Sequence, residues 1–191
     1  LVIDTRAPHS LNDGQYATRR ATCDAAAAAL GVPTLRHWLD AQPDTATAVI
    51  AADAVLSSPA DEVARRRVRH VLTEIARTRQ AHVAMRAGDW REFGRLMNDS
   101  HISLRDDYEV TVPELDIAVE TARAAGALGA RMTGGGFGGS AIALVPVGTS
   151  AAVAADVAAA FTSHGFTAPA FLTSHAAGPA ARVTPKLQKD M

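Results

Sequence analysis

Five glycines occur within six positions in the stretch Arg131-Met132-Thr133-Gly134-Gly135-Gly136-Phe137-Gly138-Gly139-Ser140. Glycine loses more backbone freedom on folding than any other residue, so such a run is typical of a backbone that needs positive φ or close approach. The apolar segment 141–145 follows and predicts a strand, and residues 130–133 predict the strand before it. The stretch therefore predicts two strands joined by a glycine loop, which we define as residues 134–139.

The pattern leaves two interpretations of the glycine loop open. Successive amide N–H groups in a glycine-rich turn can converge on an anion such as phosphate. The same glycines are equally compatible with a plain hairpin connection. Gly134, Gly136 and Gly139 formally satisfy G-x-G-x-x-G, but that fingerprint opens a helix, whereas this loop opens a strand. A Walker-type P-loop is excluded, because no Gly-Lys-Ser/Thr follows.

Composition excludes several classes of protein. The chain has 191 residues, a formal net charge of −1 and one cysteine, Cys23. This charge gives no general attraction to nucleic acid or to an anionic membrane, and no apolar run reaches the roughly 20 residues that span a bilayer. A lone cysteine and the lack of a signal peptide predict a cytoplasmic protein. The chain opens on an apolar segment without methionine, which predicts a fragment.

Helices and short strands alternate along the rest of the chain. Helix start signals occur at 12–15, 58–59 and 111–114, where a polar cap precedes Gln, Pro or Glu. Helices are predicted from these three signals to about residues 30, 88 and 126, and two more cover about 90–105 and 150–164. Further strands are predicted at 1–5, 170–172 and 181–183. The pattern predicts an α+β fold, a ferredoxin-like antiparallel sheet with helices packed on one side.

Polar clusters outside the loop favour structural roles. The acids in 100–109 adjoin Arg105, which favours ordinary ion pairs and caps over a metal or acid–base site. The basic run 65–69 is interpreted as a solvated helix face. Histidine spacing matches no metal motif. Cys23 is interpreted as a small buried hydrophobe, and Tyr16 either packs its ring or binds a polar ligand.

Several motifs together resemble the galactokinases of the GHMP kinase superfamily. They cover nearly the whole chain and occur in the family's order: the opening 1–6, His9-Ser10-Leu11, Tyr16-x-x-Arg19-Arg20-x-x-Cys23, 66–70, 93–97, Ser100-His101-x-Ser103 through Val110, Pro113-Glu114-Leu115-Asp116, and 131–139. Val112 and Ser140 stand where the family pattern has cysteine.

The resemblance implies transfer of the γ-phosphoryl of ATP to the C1 hydroxyl of galactose, with Mg²⁺. It implies that Tyr16 contacts the sugar and that Gly134, Gly135, Gly136, Phe137, Gly138 and Gly139 lie beside the transferred phosphate. It assigns no catalytic residue and no metal ligand to this chain, since the family's nucleotide loop and aspartate base have no counterpart in it.

The same resemblance predicts that residues 1–191 are a GHMP kinase C-terminal domain, with 1–20 as the remainder of a link from an N-terminal nucleotide-binding domain. The chain is then expected to pack against that domain and to be inactive alone. Two alternatives stay open: a non-catalytic sugar sensor, or a kinase for a related sugar such as N-acetylgalactosamine.

Overall fold

Helices form most of the structure, a computed structural model that describes residues 1–8, 14–175 and 177–180. The strand predicted at 181–183 and the proposed cap at Asn12 lie outside these residues. The elements are β1 (Val2–Asp4), α1 (Gln15–Ala29), α2 (Leu35–Asp40), α3 (Thr45–Val55), a 3-10 turn (Pro59–Asp61), α4 (Glu62–Ala87), α5 (Trp90–Ser103), a π-helical turn (Leu104–Tyr108), α6 (Pro113–Ala124), β2 (Gly129–Thr133), β3 (Ser140–Leu144), α7 (Ser150–Ser163) and β4 (Ala170–Leu172).

The four strands form one antiparallel sheet in the order β2-β3-β1-β4. Ile3 in β1 lies opposite Ala141 in β3 and Phe171 in β4, and Ala141 also lies opposite Met132 in β2. This order, with helices between β1 and β2 and between β3 and β4, is that of a ferredoxin-like sheet, so the predicted fold class is confirmed. Residues 2–4, within the stretch expected to be a link, form a central strand of the domain.

One core lies between the sheet and helices α6 and α7. Side chains alternate between the two faces of a strand, so Ile3, Met132 and Ala141 point to the same face and are fully or almost fully buried. Helix α6 contributes Leu115 and Val119, and α7 contributes residues spaced by four, which close this core: Val153, Val157 and Phe161.

The other face of the sheet borders a cavity of about 810 Å³ under the α4–α5 pair. Val2 and Ile142 lie on this face, across from Met97 of α5, and Arg131 lies beside them. Helix α5 contacts β2 closely at two glycines, Gly94 and Gly129. A Cβ on Gly94 would overlap the Leu128 carbonyl, and a Cβ on Gly129 would overlap the backbone of Gly94.

A second core consists of helices only. It joins α1, α2, α3 and α4 through Ala27, Leu35, Ala52, Val68 and Leu72. Helices α2 and α3 were not predicted. The first has only six residues, and the second is alanine-rich without a strong apolar stripe.

The helix starts test the predicted caps. Ser58 and Asp61 form a reciprocal capping box with Pro59 at the first position, as expected for the start before α4. The capping box predicted at Thr111 is wrong. Helix α6 is capped by Val112 without a side-chain bond, and the Thr111 hydroxyl donates instead to Asp116 Oδ2 at 3.3 Å.

Candidate functional site

The glycine loop combines an open half with an anchored half. Gly134 and Gly135 are exposed, and a Cβ built on either would meet no atom within 4 Å. Gly136 is buried, and its Cβ would overlap the carbonyl of Val110. Positive φ values occur at Gly134, Gly136, Phe137, Gly138 and Gly139. The backbone therefore needs glycine at four of these positions, and the close approach to Val110 also needs it at Gly136.

Three hydrogen bonds anchor the second half of the loop. The Phe137 amide donates to the Val110 carbonyl at 2.7 Å. The Gly139 carbonyl accepts from the Thr5 amide at 3.0 Å and from the Thr5 hydroxyl at 2.6 Å. Because Thr5 is fully buried at the end of β1, these bonds tie the loop to the sheet.

Five loop amides have no acceptor among the residues that the structure describes: Gly134, Gly135, Gly136, Gly138 and Gly139. An N–H group of this kind must find water or a ligand. A run of such groups in a turn with positive φ makes a concave site for an anion. The loop can therefore accept a phosphate oxygen on its open side without obstruction by side chains.

Helix α1 lies against the anchored half of the loop through Arg19. Its guanidinium donates to the carbonyls of Tyr108 at 3.2 Å and Glu109 at 2.8 Å, and its Cζ lies 5.4 Å from the centre of the Phe137 ring. Tyr16, one turn earlier on the same helix, has 63% of its surface exposed. The structure thus brings the helix of Tyr16 to the glycine loop and leaves the phenol accessible.

Tyr108 links α1 to the interior. Burial, followed by the nearby Cys23 thiol, raises the pKa of Tyr108 to about 12. Burial likewise raises the pKa of Cys23, which was interpreted as a small buried hydrophobe and is only partly buried in the structure. The ring of Tyr108 stacks on His70, with centroids 4.4 Å apart.

The basic run of α4 is not a solvated face, so that interpretation was wrong. Arg67 has only 3% of its side chain exposed. Arg66 and Arg67 each bond one oxygen of Glu109, at 2.6 and 2.5 Å, and Arg67 also donates to the Asp107 carbonyl. These bonds, that of Arg67 first, lower the pKa of the Glu109 carboxyl. The arginines hold the turn that precedes Val110, the anchor of the glycine loop.

The segment 100–109 forms the ion pair expected for Arg105, which lies 2.7 Å from Asp106 Oδ1, and further hydrogen bonds within the fold. His101 is buried, its Nδ1 accepts from the Met132 amide at 3.2 Å, and its Nε2 lies 3.2 Å from Asp116 Oδ1. His70 hydrogen-bonds with the Ser103 hydroxyl at 3.0 Å, and burial lowers its pKa to about 4. Across the described part of the chain, no group of three or more His, Cys, Asp or Glu side chains could hold a metal ion.

Sequence reasoning missed the contacts that support the loop. Arg19 was recognisable only as part of the motif that begins at Tyr16, and no role was predicted for Glu109 or Val110. The three-residue spacing from Tyr16 to Arg19 places both on one helix face, and this was the only feature of the sequence that could have indicated that the two residues serve one site. Nothing local indicated that Arg66 and Arg67 would meet a carboxylate more than forty positions away.

Known proteins resemble this chain in sequence and in fold. Residues 81–165 match the family GHMP kinases C terminal. Galactokinase of Streptomyces coelicolor is 46% identical over 169 residues, covering 88% of this chain and 42% of the relative. This chain matches the C-terminal portion of the galactokinases. Galactokinase of Mycobacterium tuberculosis is 44% identical over 181 residues, which cover 95% of this chain and 47% of the relative.

A solved galactokinase has the same architecture. The crystal structure of Lactococcus lactis galactokinase complexed with galactose superposes with a TM-score of 0.79 at 34% identity, covering 88% of this chain and 42% of that one. The chain thus spans less than half the length of the galactokinases that it matches. Within the residues that the structure describes, no helix is long and apolar enough to cross a membrane.

Proposed function

We propose that this chain is the C-terminal portion of a galactokinase, which transfers the γ-phosphoryl of ATP to the C1 hydroxyl of galactose. The observation that carries the proposal is the glycine loop, in which the exposed Gly134 and Gly135 have unpartnered amides and Phe137 contacts Arg19 on the helix of Tyr16. The galactokinase relatives support the choice of substrates.

The residues of this chain act by positioning and by electrostatics. Phosphoryl transfer requires stabilisation of charge that spreads over the oxygens of the transferred group. Preorganised amides stabilise such charge without reorganisation during the reaction, and the N–H groups of the exposed Gly134 and Gly135 suit that role. The Tyr16 hydroxyl, exposed one helical turn from Arg19, is the group that we assign to the sugar.

ATP with Mg²⁺ supplies the phosphoryl group when bound, and the glycine loop fits a phosphate because no Cβ blocks Gly134 or Gly135. We assign no Mg²⁺ ligand to this chain. The proposal places the nucleotide loop, the metal ligands and the aspartate base in an N-terminal portion that packs beside the loop, with residues 1–191 as the C-terminal domain. A cytoplasmic location is part of the same proposal and is supported by the free thiol of Cys23.

A chimera tests the proposed function. This chain replaces the matched portion of Streptomyces coelicolor galactokinase, and release of ADP is measured with galactose, with N-acetylgalactosamine and without sugar. We expect galactose-dependent turnover in the kinase range of about 1–100 per second, and none from the isolated chain.

The Tyr16→Phe variant of the chimera completes this test. Loss of the hydroxyl should raise KM for galactose several-fold while KM for ATP stays unchanged. A folded chimera that binds galactose but releases no ADP would favour a sugar sensor. Preference for N-acetylgalactosamine would favour the related kinase, and turnover by the isolated chain would contradict the division of the site between two portions.

A further inference from the structure

The Arg19 side chain contacts both segments that shape the glycine loop. Its Nε and Nη2 donate to the carbonyls of Tyr108 and Glu109, and its Cζ lies 5.4 Å from the centre of the Phe137 ring. A planar guanidinium can donate in its plane and stack on an aromatic face at the same time. An ammonium group cannot reproduce both contacts.

Phe137 also contacts the 108–110 segment, to which Arg19 donates its hydrogen bonds. Its amide donates to the Val110 carbonyl at 2.7 Å, one residue beyond Glu109. Phe137 and Glu109 both have positive φ, 59° and 55°, which is an unfavourable backbone conformation for residues with side chains. Such conformations persist only where surrounding contacts fix them, and Arg19 contacts both residues.

Arg19 therefore links three parts of the site: the helix of Tyr16, the turn at Glu109 and the glycine loop. We propose that Arg19 is a positioning residue, which fixes the phosphate-facing loop relative to the sugar-facing Tyr16. The assignment of ligands to the two sides rests on the proposed function, whereas the mechanical link between helix and loop does not.

Arg20 provides a matched control in the next position. Its side chain is 77% exposed and its guanidinium lies 3.6 Å from Asp24 of the same helix. Arg20→Ala therefore changes charge and helix propensity much as Arg19→Ala does, without contact with the loop.

Amide hydrogen exchange in the 191-residue chain tests the link without any ligand. We expect Arg19→Ala to speed exchange of the Phe137 amide about tenfold, since the charged hydrogen-bond donor and its contact with the Phe137 ring are lost. Arg19→Lys should give an intermediate value, and Arg20→Ala the wild-type value. The amides of Leu56 in the helical core and Val153 in α7 serve as reporters of global unfolding.

Two exchange results would overturn the proposal. One is an unchanged Phe137 amide in Arg19→Ala. The other is equal acceleration of Phe137, Leu56 and Val153, which would mean that Arg19 stabilises the whole fold. If Arg19→Ala does not fold, the same criteria apply to Arg19→Lys and to Phe137→Leu, which removes only the stacked ring.

Kinetics of the chimera then separate positioning from binding. Arg19→Ala should lower kcat about tenfold with both KM values within about twofold, because misplaced groups lose transition-state stabilisation. A change confined to KM would overturn the positioning role. An inactive parent chimera would instead refute the proposed function, and the exchange result would still decide the link.

Discussion

Two adjacent glycines in the loop have different structural roles. Gly136 combines a φ of 88° with a site where a Cβ would overlap the Val110 carbonyl. Gly135 has no positive φ and open space around it. A count of glycines cannot distinguish the two, whereas the position of Val110 does.

We expect Gly136→Ala to lower the free energy of unfolding by about 2–4 kcal/mol, because it adds backbone strain to steric overlap. Gly135→Ala should change it by less than about 0.5 kcal/mol. Urea denaturation of both variants and the wild type provides the measurement. Equal effects of the two substitutions would show that the loop is not anchored at Val110.

At the scale of elements, helix α5 and strand β2 approach each other through glycines. A Cβ on Gly94 would overlap the Leu128 carbonyl, and one on Gly129 would overlap the backbone of Gly94. Strand β2 leads directly into the glycine loop, and α5 leads into the π-helical turn and Glu109. The close contact of these two elements therefore sets the separation of the loop from its anchor.

Gly94→Ala tests this contact against helix propensity. Alanine in a free helix position stabilises by about 1 kcal/mol relative to glycine, but overlap with the Leu128 backbone should reverse the sign. We expect a net destabilisation of about 2–4 kcal/mol in thermal or urea unfolding. Arg91→Ala, at an exposed position of the same helix, is the control and should stay within about 0.5 kcal/mol of wild type. A stabilised Gly94→Ala would contradict the packing described for α5.

At the scale of the whole molecule, buried polar groups connect the helical core to the sheet core. His70 of α4 stacks on Tyr108 and hydrogen-bonds with Ser103. Burial lowers the pKa of His70 from 6.5 to about 4, although the charge of Glu74 acts in the opposite direction. Protonation of His70 therefore works against the folded state.

The sign of the resulting pH dependence follows from this lowered pKa. Above pH 6.5, His70 is uncharged in both the folded and the unfolded chain. Between pH 6.5 and about 4, His70 gains a proton in the unfolded chain only. Stability should therefore fall with decreasing pH across this window, by about 2 kcal/mol between pH 7 and 5. His70→Gln keeps a donor for Ser103 but cannot titrate, so its unfolding free energy should fall less over the same range. Parallel pH profiles of the two proteins would rule out this role for His70.

The sequence by itself determined the features that depend on neighbouring residues. Alternation and glycine content predicted the strands on both sides of the loop, and Ser58-Pro59 predicted the start before α4, because strand pattern and capping depend on residues a few positions apart. The order of the predicted strands and helices along the chain predicted the ferredoxin-like fold. The use of Tyr16 and the loop amides as ligand sites stays a prediction.

Only the tertiary structure decided what the arginines of α4 do. Their spacing around a helix is that of a solvated face. Arg67 is nevertheless buried, because it packs against the turn that supplies the Asp107 carbonyl and the Glu109 carboxylate as its hydrogen-bond acceptors. The short helix α2 and the alanine-rich α3 likewise depend on burial against α4, since short helices gain most of their stability from packing. These outcomes depend on contacts between residues distant in sequence, which local spacing and helix periodicity do not encode.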